Sequence, residues 1–499
     1  MPAGHADKLS AVDTVPKNFP AEDLELEKQS QGIDASKVFR KLDARLLPLV
    51  TLLYLLSFLD RTNIGNAKIA GLVSDLHLTG LQYNLCAAMF FVTYCVFEVP
   101  SNLALKVSRP SRWIPFIMFC WGIVMISMAF VKNFAGLLVA RLFLGITEAG
   151  LFPGVTFYLC MWYPRTAQAQ RISILSGTAA LSGAFGGLLA YGIEKMGGVR
   201  GLAGWSWIFL LEGLATTVVA FFSFFLMQDY PENATFLTDA ERTWLINTIK
   251  NDTTGLSKAF KWKFLWQALH DPHTYLMIGV FLLNRVPSLT ASPSSVLIPA
   301  YSFSLFLPTI IAELGFAAST AQLLSVPPNA AGCVLTILAG ILSDRVRARG
   351  PFVLAGSVTA LVGYVVLFAA RTPAAGYAGT MVAACGLFPS VALALAWAGG
   401  NAGGDLKKAV VIAMVIGVGN LGGVASSFIY RPQDSPRYHP GHATAISCLC
   451  IAIVLCITAM LEFARLNRAK DAAAGAMEYE GKGEFEDMGD ESPLFRYTI

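Results

Sequence analysis

The sequence predicts an all-α polytopic membrane protein, with twelve transmembrane helices arranged as two six-helix pseudo-symmetric bundles. Three observations predict it. Across 499 residues, 55% are hydrophobic and only 14% are charged, with a mean hydropathy of +0.56. Soluble chains carry roughly a quarter charged residues, so this one has too few to cover several water-facing domains. Apolar stretches of bilayer-spanning length fall into six, a polar segment, then six. Short motifs of the first set recur in the second at one constant offset.

A spanning helix needs about 20 mainly apolar residues. That length predicts spans over 45–70, 83–105, 113–131, 134–158, 172–193 and 205–228, a cytosolic linker over 229–270, and spans over 274–312, 321–342, 352–370, 374–397, 408–430 and 441–464. The bundles are thus expected over 44–228 and 271–465. The polar stretches 1–43 and 466–499 are expected as solvated cytosolic tails, the first disordered and without the apolar core of a signal peptide.

The repeat carries the architecture. Gly150-Leu151-Phe152-Pro153-Gly154-Val155 returns as Gly386-Leu387-Phe388-Pro389-Ser390-Val391, and Gly183-x-x-Gly186-Gly187 returns at the same offset as Gly419-x-x-Gly422-Gly423. Arg109 after span 2 maps in the same way onto Arg345 after span 8. Duplicated six-helix halves place a site at the repeat interface in many secondary transporters.

Orientation follows from Lys and Arg in short loops. Lys106, Arg109, Arg112, Arg165, Arg171, Arg345, Arg347, Arg349, Lys407 and Lys408 cluster on one side together with both termini, which places the termini in the cytosol. The plasma membrane is the expected location. The sequons at Asn233 and Asn251 then lie in the cytosolic linker and are expected to stay unglycosylated.

Several chemistries are excluded. The net charge of +4 implies no bulk attraction to nucleic acid, and nine scattered cysteines have neither disulfide-framework nor zinc-ligand spacing. Gly417-x-Gly419-x-x-Gly422 has dinucleotide-fingerprint spacing, but it lies inside an apolar span with no strand before it, so it reads as close helix packing. No phosphate-binding Gly-x-x-x-x-Gly-Lys-Ser/Thr loop is present, which argues against an ATP-driven pump. His77, His270, His273, His439 and His442 fall in loops or at helix ends, and no catalytic constellation forms.

Ionisable residues inside spans carry the functional information, because a charge near the bilayer centre costs about 2.5–3.5 kcal/mol on insertion scales. Span 1 holds Asp60, Arg61 and Asn63, and helical spacing puts Tyr54, Ser57 and Arg61 on one face. A guanidinium suits two-point binding of a carboxylate; a salt bridge to another helix is the structural alternative. Span 4 holds Arg141 and Glu148, two turns apart on one face and too far apart to pair directly. A buried carboxylate can exchange a proton as access alternates. Tyr54, Ser57, Arg61, Asn63 and Arg141 are therefore the candidate substrate ligands. Glu148, Glu98 and Asp60 are the candidate proton-coupling groups, whereas Glu212 beside Trp205-Ser206-Trp207 reads as structural. Gly340-x-Leu342-x-Asp344-Arg345-x-x-x-Arg349 follows span 8, and Asp344, Arg345 and Arg349 read as a conformational latch.

That last motif resembles the signature loop of the major facilitator superfamily. Leu59-Asp60-Arg61-Thr62-Asn63-Ile64-Gly65-Asn66-Ala67, Phe97-Glu98-Val99-Pro100-Ser101-Asn102 and Arg141-x-x-x-Gly145-x-x-Glu148-Ala149-Gly150 resemble its anion:cation symporter family. Trp207-Ile208-Phe209 to Glu212-Gly213 and Tyr301 to Pro308 are similar to the fungal branch that includes allantoate and nicotinate permeases. The resemblance implies proton-coupled uptake of a small organic anion, such as the monocarboxylate nicotinate or an allantoate-like solute. It implies alternating access, Arg61 at the substrate, and Arg141 with Glu148 as a coupling pair. The expected partners are the anion, protons and the lipid bilayer, and the expected state is a monomer. No cofactor is expected, since the proton gradient drives the cycle. Other readings of the same chain are a nutrient receptor that has lost transport, an exporter of an organic acid or metabolite, and a membrane-embedded enzyme.

Three departures stand out. Ser108-Arg109-Pro110-Ser111-Arg112 replaces the superfamily pattern after span 2, as is usual in the fungal branch. Asn329 follows Pro327-Pro328 where the branch usually has Tyr. Span 7, at 274–312, is far longer than a bilayer requires and contains an anomalous insertion over 285–299, with Arg285, Pro287, Pro293 and Pro299. Val286 to about Ala300 is expected to be a retained intron or other gene-model error. A valine codon starts with the splice-donor dinucleotide, and transcript reads containing the segment throughout would refute this.

Overall fold

The computed structural model describes residues 33–253, 273, 276–277, 297–402, 405–474 and 495–499. The membrane helices are α1 (Ala35–Asp75), α2 (Gly80–Val107), α3 (Pro110–Met128), α4 (Phe134–Trp162), α5 (Arg165–Glu194) and α6 (Gly204–Leu226). A linker helix, α7 (Asp239–Thr253), follows. The second set is α8 (Leu297–Glu313), α9 (Ala318–Val346), α10 (Gly350–Ala369), α11 (Pro373–Gly400), α12 (Asp405–Ser426) and α13 (His439–Ala474). Among the described residues, nine helices are long and apolar enough to cross a bilayer. Spans 7 to 12 of the sequence correspond to α8 to α13.

Helix ends follow local chemistry. Asp34 caps α1 through the Ser36 amide, and Thr79 with Gln82 forms a capping box on α2. Pro110 opens α3 and Pro373 opens α11, each at the first turn where proline's missing N–H costs nothing. Outward-facing side chains are large and apolar at helical spacing, such as Phe221 with Phe225, and Val358 with Val362 and Val365. Such a belt on a water-facing surface would be a large exposed apolar patch, whereas acyl chains cover it.

The bundles meet along two seams, α2 against α12 and α5 against α9, which the sequence repeat relates to one another. Repeat glycines line both. A Cβ on Gly187 would strike the Gln322 carbonyl and the Ser325 hydroxyl of α9, and a Cβ on Gly423 would strike the Phe91 ring of α2. Glycine is required there because helix backbones lie close against the opposite bundle.

Several expected boundaries shift. Helix α1 begins at Ala35, inside the stretch expected as a disordered tail. Its Val38, Leu42 and Leu46 are buried at four-residue spacing, a stripe partly hidden in the sequence by the charges between them. Asp43 accepts hydrogen bonds from Arg171 at 2.7 and 3.0 Å and from Tyr163 at 2.9 Å, tying α1 to α5. The linker expected over 229–270 contains α7, docked through Lys41–Glu241 at 2.6 Å and Phe39–Trp244. The tail expected over 466–499 begins with α13, which runs on to Ala474, and residues 495–499 pack against the second bundle. Residues 285–296 of the anomalous segment lie outside the described residues. Its remainder opens α8, where Ile298 is buried and the Pro299 carbonyl accepts from the Tyr364 hydroxyl at 3.1 Å. The packed part of α8 therefore starts before Ala300, the expected end of the insertion.

Candidate functional site

A central cavity lies between the bundles. The first contributes Tyr54, Phe58, Arg61, Thr62, Asn66 and Phe91, and the second contributes Tyr301, Ser304, Asn329, Phe388 and Asn420. Its walls are largely aromatic and aliphatic, with polar groups at a few points, the pattern of a small-molecule site. Arg61 is the one charged residue lining it among the described residues.

Helical periodicity sorts the polar residues of α1 into two faces. Arg61, only 5% exposed, reaches α4 and donates from Nη2 to Glu148 Oε1 at 2.6 Å. Ser57, one turn earlier, donates to the same oxygen at 2.7 Å. The guanidinium also lies over the rings of Phe58, Tyr94 and Phe90, at 4.7, 4.9 and 5.3 Å. Such contacts favour the cation in a place poor in water. Glu148 is fully buried, and among the described residues its Oε2 and the Nε of Arg61 have no hydrogen-bond partner.

Asp60 and Asn63 point the other way, into the first bundle. Asp60 Oδ2 accepts from Trp121 Nε1 and Thr216 Oγ1, each at 2.9 Å, and Asn63 donates to Glu212. Neither lines the cavity. Arg141 does not reach it either: it is 1% exposed, its Nε and Nη2 lack hydrogen-bond partners among the described residues, and it lies within electrostatic reach of Asp60 and Glu148. Of Arg61, Arg141 and Glu148, expected together around the central site, only Arg61 faces the cavity, with Glu148 directly behind it.

Glu98 takes a different position, on the α2–α12 seam. Its Oε2 accepts from Asn420 Nδ2 at 3.5 Å, and Asn420 Oδ1 accepts from the Tyr301 hydroxyl at 2.9 Å. This chain joins the bundles beside the cavity. Asn420 was missed in the sequence, although a lone amide in an apolar span is a usable signal. Rings at 58, 90 and 94 around Arg61 were missed because two of them come from another helix. In the latch, Asp344 pairs with Arg349 at 3.5 Å, Arg349 Nη1 donates to the Ala396 carbonyl of α11, and Arg345 stays exposed.

Two six-helix halves closing on a central, largely apolar cavity with one buried cation define a polytopic membrane carrier. The chain belongs to the Major Facilitator Superfamily, whose pattern matches residues 50–463. It is similar to the high-affinity nicotinic acid transporter of Saccharomyces cerevisiae, 31% identical over 92% of this chain and 84% of that protein. An uncharacterized transporter of Schizosaccharomyces pombe is 35% identical over 91% of this chain and 88% of its own length. Among solved structures, a D-xylose–proton symporter aligns with a TM-score of 0.61 at 14% identity, covering 83% of this chain and 96% of that one. A bacterial homologue of the human lysosomal transporter Spinster, inward-facing and unoccupied, aligns at 0.64 and 17%, covering 83% and 95%. At such identities these structures support the fold alone. The protein is a membrane transporter and not an enzyme.

Proposed function

We propose that this transporter carries a small organic anion, a monocarboxylate such as nicotinate or an allantoate-like solute, together with a proton by alternating access. The observation that carries the reading is the Arg61–Glu148 ion pair at 2.6 Å, placed so that only the cation faces the cavity. With Glu148 ionised the pair is neutral, and an arriving carboxylate would have to compete with Glu148 for the guanidinium. Protonation of Glu148 removes that competitor, so Arg61 receives the anion and the loaded site stays close to neutral. In a low-dielectric interior, states with one uncompensated charge are strongly disfavoured. The loaded carrier holds anion plus proton, the empty carrier holds the internal pair, and both can reorient.

Tyr54, Phe58, Phe91 and Phe388 supply ring surfaces for a small, flat solute, and Asn329, Asn420 and Tyr301 supply polar contacts from the opposite bundle. Arg141, Asp60 and Asn63 act behind the site, setting the field at Glu148 and the position of α1. Glu98 is a second proton-responsive group, on the seam. The Asp344–Arg349 turn serves as the latch. The asymmetry of Lys and Arg between the loops supports cytosolic termini, and uptake across the plasma membrane fits that orientation. The test is uptake of labelled nicotinate and a panel of small carboxylates by permease-deficient cells expressing the chain. Accumulation that grows with external acidity is expected; accumulation of none of the panel would remove the anion reading.

A further inference from the structure

The recess beside the latch has features that the transport cycle does not explain. Residues 495–499 lie in it without regular secondary structure of their own. Asn467 of α13 donates to the Tyr497 carbonyl at 2.8 Å and accepts from the Tyr497 amide at 2.9 Å. Asn401, which ends α11, treats the next residue in the same way: it donates to the Thr498 carbonyl at 3.0 Å and accepts from the Thr498 amide at 2.7 Å. A carboxamide that pairs with both the N–H and the C=O of one residue does for a lone strand what a neighbouring strand does in a sheet. Trp397 Nε1 adds a bond to the Thr498 carbonyl at 2.7 Å, and the Ile499 carbonyl accepts from the Arg349 amide at 2.9 Å.

Side chains add selectivity. The Tyr497 ring is 7% exposed, stacks on Phe463 at 5.1 Å and lies under the Lys470 ammonium at 4.6 Å. Arg496 pairs with Asp471 at 2.8 Å. The recess thus reads main chain through two asparagines and reads a basic–aromatic pair through Asp471, Phe463 and Lys470.

We propose that the recess between α11, α13 and the α9–α10 turn is a peptide-binding site, occupied in cis by residues 495–499. Its ligand class is an extended peptide with a basic residue followed by an aromatic one. Occupancy bonds directly to the Arg349 main chain, whose side chain holds Asp344 and the end of α11. The bound strand therefore clamps the latch turn to α11 and α13, and any movement that separates these elements has to break it. Nothing in this proposal depends on the nature of the transported solute.

Hydrogen–deuterium exchange on the full chain in lipid nanodiscs tests it, with the synthetic pentapeptide Phe-Arg-Tyr-Thr-Ile as the free reference. The 495–499 fragment is expected to exchange about tenfold or more slowly than the free peptide. Asn401→Ala combined with Asn467→Ala should abolish that protection. A chain shortened to end at residue 494 should show faster exchange at Arg349 than the full chain. Exchange of 495–499 at the free-peptide rate in the full chain, or an Arg349 rate unchanged by shortening, would overturn the proposal. The shortened chain leaves every wall residue intact, so it separates loss of the clamp from damage to the bundle.

Discussion

Arg61 and Glu148 meet at 2.6 Å across the interface of α1 and α4, with the guanidinium at the wall of the central cavity and the carboxylate sealed behind it. Each needs the other: removing one partner of a buried pair leaves an uncompensated charge and costs about 3–5 kcal/mol. Arg61→Ala is therefore expected to abolish uptake and to lower the melting temperature of the detergent-solubilised protein. Glu148→Gln added to Arg61→Ala should restore much of the thermal stability but none of the uptake. Equal melting temperatures for the single and double variants would show that the two charges do not depend on each other.

The Tyr301–Asn420–Glu98 chain links the bundles beside the cavity. Tyr301→Phe removes one hydrogen bond, worth about 0.5–1.5 kcal/mol net. The expected result is a KM for the transported anion raised by about two- to tenfold, with expression unchanged, read by initial-rate uptake. An unaltered KM would place the hydroxyl outside the recognition surface.

Gly187 and Gly423 hold equivalent places on the two seams, each against the opposite bundle. Gly187→Leu and Gly423→Leu should each produce a folded chain in the membrane with little or no transport, because the side chain would have to enter a backbone carbonyl or a ring. Wild-type rates in either variant would mean that the seams open more widely than the close contact implies.

The linker helix has a pH-dependent anchor. Burial opposes ionisation of Glu241, but the Lys41 ammonium and the Thr238 amide outweigh it and hold the carboxyl below its ordinary value of 4.5. A depressed folded-state value means that the anchor contributes fully above that ordinary value and is lost as pH falls through the lower one. Amide exchange in α7, corrected for intrinsic rate, should be steady around neutral pH and rise under acid. Lys41→Ala should abolish that acid-induced increment.

Much of this was legible in the sequence because the bilayer imposes a simple rule: spans must be long and apolar, so charges within them stand out. Arg61 and Glu148 were found that way. Periodicity put Tyr54, Ser57 and Arg61 on one face, and Ser57 and Arg61 do share Glu148. It could not say which neighbouring helix each face meets. Asn63 is therefore expected as a substrate ligand and Asp60 as a proton-coupling group, although rotation about the helix axis away from Arg61 directs them to α3 and α6. Arg141 went with Glu148 because they share a helix, yet a seven-residue separation leaves one behind the cavity wall and the other deep in the bundle. Asn401 and Asn467 gave no sign at all, since their partner strand lies far along the chain and binds through its main chain.

The most direct measurement is the dependence of initial uptake on external pH in Glu148→Gln compared with wild type, with Arg61 intact in both. Glutamine mimics the protonated acid and cannot ionise, so the variant should bind the anion but, with Arg61 uncompensated in its empty form, take it up more slowly than wild type. That residual rate should be nearly independent of external acidity, while the wild-type rate rises with it. The same acid dependence in both proteins would contradict coupling through Glu148 and leave the Arg61 pair a structural bond.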